Sequence, residues 1–270
     1  MGLLHNKQNQ YAWLGAQTTA QNVVPATAGL TAGTHPEGSI QRRLRLSLIE
    51  LINRNASTLN LALVSLLPDS MWKFGTMVST ATVVTDATAA AQAGTTHAIT
   101  LSDKNDTGSG YVVGGKVPWG ILGFKIDTAS VGASGAHTYK YWNGTSLVTL
   151  TPVLIAGPTA GGEVWALGEQ LVMFDPPVDW AKGGPVASWP TDCYNLENVL
   201  SVADTTNPQA ARAYLGEVLF SDKTIAVAPG KYSVALKEPI EVPWYNQGLQ
   251  VAASTITIPN SLRLVYDIIG

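Results

Sequence analysis

YKYWNGTSLVTL, residues 139–150, decides how this chain is read. Asn143-Gly144 is the strongest short hairpin signal a sequence carries. A two-residue type I′ turn requires positive φ at both central positions, which Asn and Gly adopt cheaply. The flanking strands are then 139–142 and 145–150. A period of two puts Tyr139 and Tyr141 on one face and Lys140 and Trp142 on the other. Cross-strand aromatic and β-branched pairs contribute about 0.2–1 kcal/mol each. Aromatic residues around a turn also suit the rim of a ligand site. Hairpin packing accounts for Tyr139, Tyr141, Trp142, Asn143 and Gly144 without one.

Outward from the hairpin the β pattern continues. FGTMVSTATVV, 74–84, is rich in Val and Thr, which suit a pleated, half-buried surface. Residues 86–94 are Ala-rich and read as a loop or a single helical turn. HAITLSD is a short strand, KNDTGSG a turn, and YVVGGKVPWGILGFKID one or two strands. EVWALGEQLVMF is a strand that ends at Asp175-Pro176-Pro177. Further strands are expected near 213–220, 224–227, 232–236, 250–258 and 262–268. Residues 41–67 alternate at both ends, around a turn at 53–57; a short helix in the first half is the alternative. Short strands at regular spacing predict a mainly β chain, an antiparallel β-sandwich or jelly-roll-like fold. Residues 1–40 are polar and small and show no apolar period. They read as an extended N-terminal arm, docked through Tyr11, Trp13 and Leu14 or frayed. Residues 41–270 then form the β-rich domain, with subdivisions near 110 and 190.

Composition narrows the function. Of 270 residues only 13% are charged, against roughly 25% in an average globular protein. A surface this neutral suits burial against partner subunits, although a Thr/Ser/Asn surface on a monomer gives the same count. The net charge of −3 argues against an electrostatic grip on nucleic acid. The one basic cluster, Arg42, Arg43 and Arg45, reads as a solvated or salt-bridged strand edge. Arg42 and Arg43 join the arm residues as expected interface positions. No uninterrupted apolar run of about 18 residues occurs, so no transmembrane helix is expected. No basic region followed by an apolar one opens the chain, so no secretory signal is read there. The N-x-S/T triplets at Asn55, Asn105 and Asn143 therefore need not mark glycosylation.

Candidate chemistry is sparse. Cys193 is the only cysteine, which excludes an intramolecular disulfide and a multi-cysteine metal site. His5, His35, His97 and His137 are the only histidines, and no spacing links any of them to Cys193. Asp103, Asn105 and Thr107 alternate as in the start of a calcium loop, with Gly108 for the bend. The twelfth position is Gly114 instead of a bidentate Glu, so an Asx-rich turn is the better reading. TGSGYVVGGK fits neither phosphate-loop spacing. Asp175 and Asp179 are the nearest approach to a carboxylate pair, inside a Pro-rich turn. No catalytic residue, metal or cofactor is expected, and the chain is read as not an enzyme. The eight tryptophans raise a second class, a carbohydrate-binding β-sandwich with exposed ring platforms. Trp119, Trp180, Trp189 and Trp244 lie near prolines at strand ends, where indoles more often plug a core.

Tyr141-Trp142-Asn143-Gly144, then LVMFDPPVDW with Pro177-Val178-Asp179-Trp180, resembles a pattern in bacteriophage virion proteins. A YWNG hairpin is followed there by a strand and a P-x-D-W turn. The likeness covers roughly residues 111–190. Where that pattern continues into an aromatic strand, this chain has CYNLENVL. The resemblance implies a structural component of a tailed-phage particle, located in the virion and assembled in the host cytoplasm. It further implies a homo-oligomer, dimer or trimer, in contact with other virion proteins such as the major capsid protein. A capsid decoration or cement protein is the first expectation. A tail or baseplate component and a jelly-roll shell protein are the alternatives.

Overall fold

The computed structural model describes residues 9–15, 21–24, 43–53, 59–78, 81–103, 108–130, 137–156, 165, 167–200, 206–225, 230–242, 249–253 and 260–269. The chain is mainly β and antiparallel. Its strands are β1 (Asn9–Gly15), β2 (Gln21–Val24), β3 (Arg43–Asn53), β4 (Leu59–Leu66), β5 (Trp72–Val78), β6 (Ala81–Asp86), β7 (Ile99–Thr100), β8 (Gly110–Gly115) and β9 (Ile121–Thr128). They continue as β10 (His137–Trp142), β11 (Leu147–Leu150), β12 (Val153–Ala156), β13 (Gly168–Met173), β14 (Tyr194–Leu200), β15 (Gln209–Ile225), β16 (Gly230–Val242), β17 (Leu249–Ala253) and β18 (Asn260–Ile269). The one α-helix among the described residues, α1 (Thr88–Ala93), is a short Ala-rich segment. It stops at Gly94, whose φ of +73° is the left-handed conformation a helix end uses to turn away. Both ends of the 41–67 stretch are strands, so the helical alternative for its first half does not occur.

The chain divides into two compact units, Leu67–Val218 and Met1–Leu66 with Leu219–Gly270. The boundaries of these units lie at 66/67 and 218/219. In the terminal unit one sheet runs β1-β18-β3-β16, and β17 pairs with both β4 and β2. The described parts of the expected arm are extended, and both are strands of the chain's own sheets. Tyr11, Trp13 and Leu14 stand opposite Leu264, Leu262 and Ser261 of β18. Arg42 lies outside the described residues. Arg43 and Arg45 open β3, which is an inner strand and not a sheet edge. Arg45 stands in register between Glu241 and Asp267, so residues of opposite charge occupy the neighbouring positions on both sides.

The Leu67–Val218 unit is a sandwich. One sheet has the order β11-β10-β14-β8-β5-β6, and the other contains β12-β13-β9-β15. Alternation along the strands sends one set of side chains between the sheets. Phe74 of β5 stacks on Tyr111 of β8 at 5.5 Å, and both meet the edge of Phe124 from β9, at 6.1 and 5.2 Å. Trp165 closes on Phe124 at 5.2 Å. Phe74, Tyr111, Phe124 and Trp165 are all buried. On the far side of the second sheet the Tyr214 ring lies across Gly123, its cross-strand neighbour, in the space a Cβ there would need.

The strand that sequence reading passed over is β14. CYNLENVL carries Asn195, Glu197 and Asn198, all buried, and pairs with β10 on one side and β8 on the other. Polar residues in a strand normally signal an edge or a loop. Here each meets a specific partner, as described below.

Candidate functional site

The hairpin itself needs a correction. Asn143 does not take positive φ, and only Gly144 does, at +97°. The connection is four residues, 143–146, and the strands pair from Trp142↔Leu147 to Tyr139↔Leu150. The cause is the Asn143 side chain. Its Oδ1 accepts from the amides of Thr145 and Ser146 and from the Thr145 hydroxyl, at 3.0, 2.8 and 3.0 Å. An Asx turn thus takes the place of a type I′ turn. The expected faces are correct: His137, Tyr139 and Tyr141 are buried, while Thr138, Lys140 and Trp142 are half-buried.

The two motif pieces meet in space. Tyr141 Oη donates to Asp179 Oδ1 at 2.8 Å, and this bond, with burial and the carboxylate's charge behind it, raises the phenol's pKa. The Tyr141 ring faces the edge of Trp180 at 6.3 Å. The amide of Ala181 donates to the Trp142 carbonyl at 2.9 Å. A Cβ at Gly144 would make an ordinary contact with the Ala181 methyl, at 3.4 Å. Trp180 is the centre of the junction. It packs on Trp119, Phe174 and Tyr194 at 5.3, 5.8 and 6.0 Å, and its Nε1 donates to the Asn195 carbonyl at 3.0 Å.

Residues 175–193 then fold as a clasp over the first sheet, and β14 holds them. Asn195 Nδ2 donates to the carbonyls of Gly183 and Pro190 at 2.9 and 2.7 Å. Lys182 forms a β-bridge with Tyr194 and places its Nζ 5.4 Å above that ring. On the outer face of the sheet Trp189 packs with Val84 and Val112, flanked by Met77, Leu147 and Val186. The Ser188 hydroxyl accepts from the Val84 amide at 3.0 Å. One loop therefore plugs both faces of one sheet, with Trp180 inside and Trp189 outside. No spacing in the sequence shows this, since Asn195 supplies the link.

His97 Nδ1 faces both Asp127 Oδ1 at 3.1 Å and Thr128 Oγ1 at 3.0 Å. A hydroxyl relay needs carboxylate and hydroxyl on opposite ring nitrogens, and here both use the same one. Cys193 is buried and its thiol is pushed up to about 12, first by burial and then by Asp192. That is the reverse of an activated nucleophile. A small cleft of about 120 Å³, lined by Lys73, Asp86, Ser188 and Trp189 among others, is below the usual size of a ligand pocket. Among the described residues no three His, Cys, Asp or Glu side chains are grouped to hold a metal. The Asp103 amide and carbonyl are both bonded to Ser109 Oγ, while Asn105 and Thr107 lie outside the described residues. So do His5 and His35. Trp72, Trp119, Trp165, Trp180 and Trp189 are buried, so none of these five can offer a ring to a sugar, and Trp142 is half-buried. Trp13 and Trp244 have no described side chain.

Comparison of the chain with protein-family models, with curated proteins and with solved structures gives no match in any of the three.

Proposed function

We propose that the chain is a structural component of a tailed-phage virion, a capsid decoration or cement protein that stabilises the head through subunit contacts. The observation that carries this reading is the junction of the two motifs. Tyr141 and Asp179, 38 positions apart, share a hydrogen bond, and Trp180 fills the space beside them. The residues behind the resemblance serve rigidity instead of chemistry, as suits a protein that works through its shape. The low charge content favours a surface that other subunits cover.

The mechanism is burial. Apolar area at subunit contacts contributes about 25 cal/mol per Å² before association costs are subtracted. Closed two- or threefold symmetry repeats each contact, and multivalent attachment multiplies its effect. The partners are further copies of the chain and the major capsid protein. Tyr11, Trp13, Leu14, Arg42 and Arg43 are the proposed contact positions.

Mass spectrometry of separated heads and tails from purified source particles tests this. Protein abundant in heads, at a copy number distinct from that of the main shell protein, supports decoration. Presence in tails alone overturns the head assignment in favour of a baseplate role. Absence from both overturns the virion reading.

A further inference from the structure

Four buried polar atoms inside the sandwich have no protein partner: Tyr111 Oη, His137 Nε2, Trp165 Nε1 and Asn198 Nδ2. Their residues are all between 0% and 1% exposed. They belong to one closed circuit of neighbours. Tyr111 and Asn198 are directly opposite across β8 and β14, so their side chains share the inner face. Asn198 Oδ1 meets His137 Nδ1 at 3.0 Å. The His137 ring lies 5.9 Å from Trp165, and Phe124 stands 5.2 Å from both Trp165 and Tyr111. Burial first and the neighbouring Tyr139 phenol second raise the Tyr111 pKa, and Tyr111 Oη still has no hydrogen bond of ordinary length and angle to any protein group. Trp165 is fixed independently of the circuit, by its amide to Ser130 Oγ at 2.8 Å and its carbonyl to the Ser130 amide at 3.0 Å.

Most buried polar atoms in native interiors bond to protein or to ordered water, and here one layer of side chains holds four without a protein partner. Their chemistry specifies what would satisfy them. The Asn198 amide oxygen only accepts, so His137 Nδ1 carries the proton and Nε2 is a bare acceptor. Trp165 Nε1 and Asn198 Nδ2 only donate, and Tyr111 Oη does either. A ligand must therefore donate to the imidazole and accept from the indole or amide. A halide cannot donate, and an ammonium ion cannot accept. Water does both, and does so equally well with the Asn198 amide reversed.

We propose that the sandwich core contains a buried water site, formed by His137, Asn198, Tyr111 and Trp165, in which at least one ordered water bridges the first sheet to Trp165, which packs on Phe124 of the second. Its role is to join β8, β10 and β14 of the first sheet to Trp165 beside the second through polar bonds that apolar packing cannot supply. The test is a high-resolution crystal structure of the full chain, together with thermal melts of Trp165→Phe. The variant keeps an aromatic ring and removes the indole donor. Density at hydrogen-bonding distance from His137 Nε2 and at least one other of the four atoms is expected, with a Tm several degrees below wild type. A dry core, with the four atoms bonded to other protein groups or left bare, overturns the proposal. So does a Tm that rises in Trp165→Phe, because removing an unsatisfied donor relieves a penalty while removing a satisfied one creates a loss.

Discussion

Replacing Trp180 by Ala removes the centre of the motif junction, and the structure sets the size of the loss. The indole is buried and touches four other aromatic rings, and its Nε1 holds the Asn195 carbonyl at 3.0 Å. Truncating a buried Trp to Ala costs about 3–5 kcal/mol. Leaving the Asn195 carbonyl without its donor adds about 1 kcal/mol. The sum, about 4–6 kcal/mol, is a large share of the roughly 5–15 kcal/mol that holds a typical domain together. At roughly 2–4 °C per kcal/mol for a unit of this size, Tm should fall by about 8–24 °C. Trp180→Phe keeps a ring and loses only the donor and some volume, so it should cost about 1–2 kcal/mol. Urea unfolding followed by near-UV circular dichroism is the assay, since Trp72, Trp119, Trp142, Trp165, Trp180 and Trp189 all lie in the Leu67–Val218 unit. The midpoint should move with little change in the slope. A loss below about 1.5 kcal/mol for Trp180→Ala would refute the reasoning. The clasp would then be an ornament on a sandwich that is stable without it.

Gly110→Ala should prevent stable pairing of β8 with β14, because a Cβ there would run into the backbone carbonyl of Asn198, which cannot yield as a side chain would; loss of soluble, cooperatively melting protein is the expected readout. Cys193 should resist a thiol reagent at pH 8 in the folded protein and react fully in denaturant, since burial pushes its pKa up to about 12; rapid labelling of the native chain would contradict its placement. Burial lowers the pKa of His137 below its ordinary 6.5, with the Asn198 bond as partial offset, so the unfolded chain takes up the proton first. Stability should therefore decline as pH falls through about 6.5 and below. Burial raises the pKa of Glu197, against a smaller opposing effect of Lys140, so ionisation costs stability above the usual carboxylate range and acidification restores it. Glu197→Gln should accordingly raise Tm at pH 7 and steepen the acid-side decline; a lower Tm at pH 7 would show that the Lys140 pair at 3.7 Å outweighs the burial of the carboxylate.

The local code was legible in the sequence wherever a strand had one wet face. HTYKYW alternates because β10 buries His137, Tyr139 and Tyr141 on a single side, whereas RLRLSLIELIN, which forms β3, mixes alternation with a helical spacing and left both open. Turn chemistry was legible in kind and wrong in detail. Asn143-Gly144 does mark the bend, but an Asn side chain can bond the next two amides instead of turning its own backbone, and nothing in the two letters says which it will do.

What the sequence determined by itself is a mainly β protein with few charges, because period and turn residues are local properties of the chain, although β15 at 17 residues and β16 at 13 are longer than the short strands expected. What only the tertiary structure decided is where its polar residues go. No strand is expected at CYNLENVL, because the polar residues Asn195, Glu197 and Asn198 are costly in a core unless each finds a partner. Asn195 finds two carbonyls of the clasp, Glu197 finds Lys140, and Asn198 finds His137. The meeting of Tyr141 with Asp179, and the return of β18 to pair with both β1 and β3, belong to the same class of fact. They are contacts between residues far apart in the chain, and the free energy that selects them exists only once the sheets have closed.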